Sequence, residues 1–252
     1  MPTDYGLKTP PLFSIIAKPL EKLTLTIKRT ENAKPIKIEI TADKSDYIDA
    51  TQRSVRTILM DSAQDKRYKV GYIHLWHFAS RKITQVFYDA LKHSFKDCDG
   101  LIIDLRGRGG YLNIVHKCFA VLGEPGGITQ LYKYYHKMPR FKKPVVLLTD
   151  EQSRSGKEFF AYYFKREQRG LIVGRNTTGA GIATRYYPLP DGSYLELPVR
   201  KLDEVIDNYK IEAQGVPPDI LVKKPYYYCA GEDPILKAGK NALLKLMQNS
   251  AR

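Results

Sequence analysis

Apolar and polar positions along this chain follow two periods, and the switches between them outline an α/β core. Leu23-Thr-Leu-Thr-Ile-Lys28-Arg29 alternates strictly, and Ile36-Lys-Ile-Glu-Ile40 alternates again after a polar turn around Asn32, which predicts a hairpin. Such a hairpin is marginal alone and needs a surface to rest on. Residues 41–65 are polar and charged, and read as a linker with a short strand around Val55–Leu59. The run from Val70 to Phe78 reads as a strand, and Lys82–Phe95 has helical spacing through Ile83, Val86, Phe87, Ala90 and Leu91. Strand Gly100–Leu105, helix Asn113–Leu122, a strand around Ile128–Tyr134, strand Pro144–Leu148 and helix 156–168 follow. Leu171–Val173 is a short strand, and Ile182–Tyr187 pairs with Tyr194–Val199 around the Asp191-Gly192 turn. A helix over Asp233–Gln248 closes the chain. Strands alternating with helices in this way imply an α/β core.

Bulk properties change this picture little. At 252 residues and 43% hydrophobic, the chain has material for one large domain and a small appendage. No apolar run is long enough to span a membrane. Met1–Gly6 lacks the basic and apolar regions of a signal peptide. Cys98, Cys118 and Cys229 form no CxxC pair and no His stands at metal-ligand spacing, so free buried thiols are expected and no metal or cofactor is implied. The net charge of +14 favours acidic partners. Its densest stretch, Leu131–Lys143, interleaves basic and aromatic residues as a nucleic-acid surface would. No nucleic-acid-binding motif accompanies it, and an amphipathic strand and loop with a solvated basic face is the preferred reading.

Two turns carry candidate chemistry. Pro144–Glu158 is a buried strand ending in a polar turn with Ser153, Ser155 and Gly156, feeding an aromatic helix. A serine held at a helix N-terminus sits among unpaired amides and the positive end of the dipole, where a nucleophile and its oxyanion are favoured. A helix cap places Ser153 or Ser155 there equally well. Asp104-Leu-Arg-Gly-Arg-Gly109-Gly110 also follows a buried strand, and its glycines let backbone amides face a ligand, or simply allow a tight turn. Ile211–Ile220 is a rigid turn-rich segment with one acid, Glu212, near its start.

Taken in order, these segments resemble the C-terminal processing (tail-specific) serine peptidases over residues 69–248. The resemblance runs through Gly71-Tyr-Ile-His-Leu with Phe78, DLRGRGG, SRSGKE, Gly174–Gly181, the LPDGS turn at Leu189–Ser193, GVPPDI and the terminal Asp233-Pro-Ile-Leu helix. It implies a crotonase-like spiral of strand–strand–helix units spanning residues 69–252. Residues 1–45 would be the C-terminal half of a PDZ domain and 46–68 a linker. By motif position Ser155 is the implied nucleophile, with the amides of Gly156 and of Gly109 or Gly110 as oxyanion donors. The commoner branch places a lysine base where this chain has Ala180. The tricorn-core branch instead uses Ser, His and Glu, and Glu212 matches its glutamate. That branch draws its histidine from a helical domain upstream of the PDZ domain. The base is therefore expected from a missing segment, from another subunit of a homo-oligomer, or from His77 near the end of its strand. His74 should face the opposite side, and His93, His116 and His136 read as surface residues. The resemblance implies protein or peptide substrates held extended along a sheet edge. The same fold also serves as a non-catalytic ligand carrier.

Overall fold

The computed structural model describes residues 17–43, 46–62, 65–78, 80–122, 140–202, 209–223 and 229–250. The strand expected around Ile128–Tyr134, His136 and most of the basic aromatic stretch lie outside these residues. The predicted N-terminal hairpin is present as β1 (Lys22–Ile27) and β2 (Ile36–Thr41), paired from Lys22↔Thr41 to Ile27↔Ile36. Its end is tied to the rest of the chain by the Ala230 amide, which donates to the Arg29 carbonyl at 3.0 Å.

Residues 46–68, expected to be a linker with a short strand around Val55–Leu59, hold that strand and a helix besides. They form α1 (Tyr47–Ser54), capped by the Asp46 carboxylate on the Ile48 and Asp49 amides, and then β3 (Arg56–Asp61). β3 pairs antiparallel along its whole length with β4 (Arg67–His74). β3 is the edge of the sheet, with Ile58, Leu59 and Met60 between charged ends at Arg56 and Asp61.

The core proceeds through α2 (Arg81–Asp89, extended by a π-helical turn Ala90–Ser94), β5 (Gly100–Asp104), α3 (Leu112–Ala120), β6 (Val145–Thr149), α4 (Gly156–Arg166) and β7 (Leu171–Gly174). The predicted second hairpin is β8 (Ala183–Pro188) with β9 (Tyr194–Arg200), and β10 (Ile220–Leu221) precedes α5 (Pro234–Ser250). One sheet has the order β10-β7-β6-β5-β4-β3, parallel throughout except for the β3 edge. Both faces are covered, which is why β5 and β6 read as unbroken apolar runs. Leu101, Ile103, Val145 and Leu147 face a layer with Phe87, Phe119 and Phe160 from α2, α3 and α4. Ile102, Val146 and Leu148 face α5 through Ile235, Leu243 and Met247.

The strand expected to run from Val70 to Phe78 stops at His74. Phe78 rejoins the sheet as a single parallel bridge to Gly110: its amide donates to Gly109 O (3.0 Å) and its carbonyl accepts from the Tyr111 amide (2.9 Å). A Cβ on Gly110 would lie 2.3–2.5 Å from Phe78 backbone and Cβ atoms, so only glycine allows this approach.

At the end of β5, Asp104 has no exposure, yet it stays ionised. Burial alone would raise its pKa. The His74 and Arg106 charges and the hydrogen bonds from Arg106 overcome that and hold it at about 2. Arg106 Nη2 meets Asp104 Oδ2 at 2.6 Å, while its Nη1 and Nη2 grip Asp233 at 2.8 and 2.7 Å, fastening the start of α5 to the central strand. Because the folded pKa is depressed, this carboxylate contributes stability above pH ~4, which is lost as pH falls towards 2. Arg106→Ala strands a buried charge and is expected to cost about 3–5 kcal/mol, read as a lower urea midpoint at pH 7.

Candidate active site

β6 delivers its chain into a turn where the two serines part company. Ser153 is fully buried: its hydroxyl donates to Leu105 O at 2.9 Å and accepts from the Asp150 amide at 3.0 Å. It is a structural residue. Ser155 is half-buried and stands immediately before α4 with φ 54° and ψ −127°. Positive φ is uncommon outside glycine and costs on the order of 1–3 kcal/mol, a strain found most often at functional sites. Its hydroxyl donates to Gly110 O at 3.3 Å.

The glycine loop lies against this serine. A Cβ on Gly109 would come 3.2 Å from Ser155 Cβ. Among the described residues, the Gly109 and Gly110 amides have no hydrogen-bond partner, as expected of oxyanion donors. The Gly156 amide differs from expectation in this state, because it donates to Gly110 O at 3.0 Å. One carbonyl thus takes both the Ser155 hydroxyl and the Gly156 N–H.

Beneath the turn are two buried charges that motif reading passes over. The Glu158 carboxylate accepts from the Ser155 amide (2.9 Å), Thr177 Oγ1 (2.7 Å), the Gly179 amide (2.6 Å) and the Ala180 amide (2.8 Å). Burial raises its pKa, and those four donors pull it back. The signal was present: an acid three residues after an N-terminal serine is a capping pattern. Lys157 is also fully buried, and its Nζ donates to Gly107 O at 2.7 Å and Arg106 O at 3.1 Å. No sequence pattern marks such a lysine.

Ala180, at the position where a lysine base was sought, is therefore held beside Ser155 through Glu158. Glu212 lies one step further on. Its Oε2 accepts from the Gly181 and Ile182 amides at 2.8 and 3.1 Å, and the side chain is exposed. Among the described residues, no histidine hydrogen-bonds Ser155 or Glu212. His77 stacks on Tyr47 with ring centroids 5.5 Å apart, and its Nδ1 is buried without a partner. Burial lowers its pKa, and the Lys157, Arg108 and Arg154 charges lower it further, so the ring is neutral at pH 7. His74 is spent elsewhere, with Nε2 3.0 Å from Arg106 O and its ring 3.9 Å from that of Trp76. His93 is exposed, as expected. His116 is not a surface residue. It is buried between α3 and α4 with Nε2 3.2 Å from Tyr163 Oη, and burial takes its pKa to about 4.

Residues 69–222, more than half of the chain, match the model of peptidase family S41. This chain belongs to peptidase family S41. It is 29% identical over 190 residues to the carboxy-terminal processing protease CtpB of Bacillus subtilis, covering 70% of this chain and 39% of that protein. To the tricorn protease homolog of Saccharolobus solfataricus it is 30% identical over 187 residues, covering 70% and 17%. The chain thus spans well under half the length of these relatives. Among solved structures, mature CPAF superposes with a TM-score of 0.62 over 92% of this chain and 68% of that one, at 15% identity. The photosystem II D1 C-terminal processing protease gives 0.51 over 84% and 56%, at 20% identity. Both show the α/β fold of S41 peptidases.

Glu158→Ala leaves the amides of Ser155, Gly179 and Ala180 without their acceptor. The expected loss is about 3 kcal/mol or more, at 1–3 kcal/mol per stranded group, with faster amide exchange over residues 177–181 measured by mass spectrometry.

Proposed function

We propose that this chain is the core of a serine endopeptidase with Ser155 as its nucleophile. The observation that carries this reading is Ser155 itself, set at positive φ where β6 meets α4 and packed against a glycine loop whose Gly109 and Gly110 amides have no partner among the described residues. Ser155 Oγ attacks the carbonyl carbon of an extended peptide and its proton passes to a base. The carbonyl oxygen becomes the oxyanion and takes N–H donors from the Gly109–Gly110 segment and Gly156. Collapse expels the amine with that proton, and water then hydrolyses the acyl-enzyme. Attack requires the Gly110 carbonyl to withdraw from the Ser155 hydroxyl and the Gly156 N–H.

Among the histidines of this chain, His77 is the candidate base. It lies beside the Phe78 bridge to Gly109 and Gly110, is neutral at pH 7 and has a buried nitrogen free to accept a proton. Glu212, exposed at the rim, would orient a histidine arriving from a further segment or from another subunit. A second reading has its own support. The carbonyl of Gly110 already fills the place of the oxyanion, as it would in a module that binds peptide or lipid without cleaving it.

Fluorophosphonate labelling separates the two readings. A peptidase should be modified at Ser155, located by mass spectrometry, and Ser155→Ala should lose labelling and about 10³-fold or more of any peptide hydrolysis. A binding module should remain unlabelled and bind ligand regardless of the serine. If His77 is the base, its depressed pKa keeps it unprotonated in mild acid, so the rate should fall only below pH ~6.5. His77→Ala should then lower the rate by about 10²–10⁴-fold. A His77→Ala variant with the parent rate would assign the base to a histidine at Glu212.

A further inference from the structure

Lys157 stands two residues from the nucleophile and has no part in that chemistry. Lysine is rarely buried completely unless it is paired. Lys157 is at 0% exposure, and no carboxylate among the described residues forms an ion pair with it. The two that face it are committed elsewhere. Asp104 is held by Arg106 and Tyr72, and Asp150 accepts from the Gly107 and Gln152 amides and the Ser153 hydroxyl.

What Lys157 does hold is the start of the glycine loop. Arg106 N donates to Asp104 Oδ1 (3.0 Å), and Arg106 O takes both His74 Nε2 (3.0 Å) and Lys157 Nζ (3.1 Å). Gly107 N donates to Asp150 Oδ1 (3.0 Å), and Gly107 O takes Lys157 Nζ at 2.7 Å. Every polar backbone atom of these two residues is fixed. Immediately beyond, the chain turns through Gly107 at φ 69° and Arg108 at φ 32° and brings Gly109, whose amide like that of Gly110 has no partner among the described residues, against Ser155.

Packing alone does not call for an amine at this position. An apolar side chain of the same length would fill the space without the desolvation penalty that a buried ammonium entails. That penalty shows in the amine itself. Burial lowers its pKa, Asp104 and Asp150 oppose the shift and Arg108 adds to it, for a net value of about 7, with His74 and His77 facing it from the end of β4. A neutral amine still has two N–H groups, one for each carbonyl, so the clamp holds in either protonation state.

We propose that Lys157 is a positioning residue of the peptidase site: it clamps the Arg106–Gly107 end of the glycine loop to the first turn of α4, so that the Gly109 and Gly110 amides and the Ser155 hydroxyl keep one geometry. This rests on Ser155 being the nucleophile.

The test is Lys157→Met in the intact chain. Peptide hydrolysis and fluorophosphonate labelling are followed beside thermal unfolding and amide exchange of residues 106–111. The expected result is a fall in kcat of about 10²-fold, the size of losing an oxyanion donor, with KM little changed. Tm should stay level or rise, and the loop amides should exchange faster. A variant with the parent kcat, or one whose kcat falls only as its Tm falls, overturns the proposal. Repeating the exchange measurement in Ser155→Ala, where no chemistry occurs, separates the clamp from the peptidase reading. Faster exchange in a protein whose parent never labels or cleaves would sink the peptidase reading and leave the clamp as a purely structural contact. If Lys157→Met does not fold, Lys157→Arg, which keeps the donors but displaces them, takes its place and is held to the same outcomes.

Discussion

A carboxylate without access to water stands at the C-terminal end of the central strand, and much of the molecule is arranged to keep it charged. Asp104 receives the Tyr72 hydroxyl from the neighbouring strand at 2.8 Å and the backbone and guanidinium of Arg106 from the loop that follows. Arg106 passes the connection to Asp233 at the head of α5. Sheet, loop and covering helix therefore meet at one ion. Burying a charge is unfavourable unless it is paired and hydrogen-bonded throughout. An incomplete set of partners would be costly, so the pieces around Asp104 have little freedom to rearrange separately.

The same rule operates twice more around Ser155, with opposite signs of charge. Glu158 draws the Ser155 amide together with the segment Thr177–Ala180, and Lys157 draws α4 to Arg106 and Gly107. Consecutive residues at one helix N-terminus thus reach in different directions to two loops from distant parts of the chain. An acid in the first turn is favoured by the helix dipole, whereas a lysine there is opposed by it. The sequence SGKE accepts that opposition where the gain is two carbonyl contacts across the site. A helix N-terminus with both flanking loops tied to it holds the Ser155 turn in one geometry.

The fold was legible where period and burial agree. β5 and β6 announced themselves as short apolar runs because both faces of a parallel sheet are covered, and α2 followed from helical spacing. The edge was harder to read. Sequence pattern marked a short strand around Val55–Leu59 but set it in a linker, and its full register with β4 makes it part of the sheet. At the site, ordered motifs singled out Ser155 over Ser153, and the glycine loop emerged for the same reason. Glu158 and Lys157 did not. Glu158 shows only its capping pattern with Ser155, and Lys157 looks like a solvated helix charge until the loop it contacts, many residues away in sequence, is folded against it. His116 shows the reverse error: a histidine in a helix reads as exposed, but Tyr163 on the adjoining helix buries it.

The strain at Ser155 and the placement of the Gly110 carbonyl bear on each other. A non-glycine residue at φ 54° persists only where its surroundings determine it, and here the Glu158 carboxylate on its amide and the start of α4 do so. With the serine held outward, the hydroxyl and the Gly156 N–H both need an acceptor. Gly110 O supplies it from the very loop that also bears free amides. The unliganded site is thereby satisfied by its own backbone, and an incoming carbonyl has to compete with that contact. Glycine at 110 and 156 is what allows the contact to form: a Cβ on Gly156 would lie 2.4 Å from Gly110 O. The same absence of side chains leaves the Gly110–Tyr111 peptide free of steric obstruction from residue 110 when it turns. Only the Tyr111 N–H on Phe78 O, 2.9 Å long, would have to be broken on its other side. A site closed by two or three ordinary hydrogen bonds is closed by a few kcal/mol at most, since each is worth about 0.5–1.5 kcal/mol net. That is within the reach of any ligand that offers the Ser155 hydroxyl and the Gly156 N–H a replacement acceptor, so binding at this turn and withdrawal of the Gly110 carbonyl would be linked.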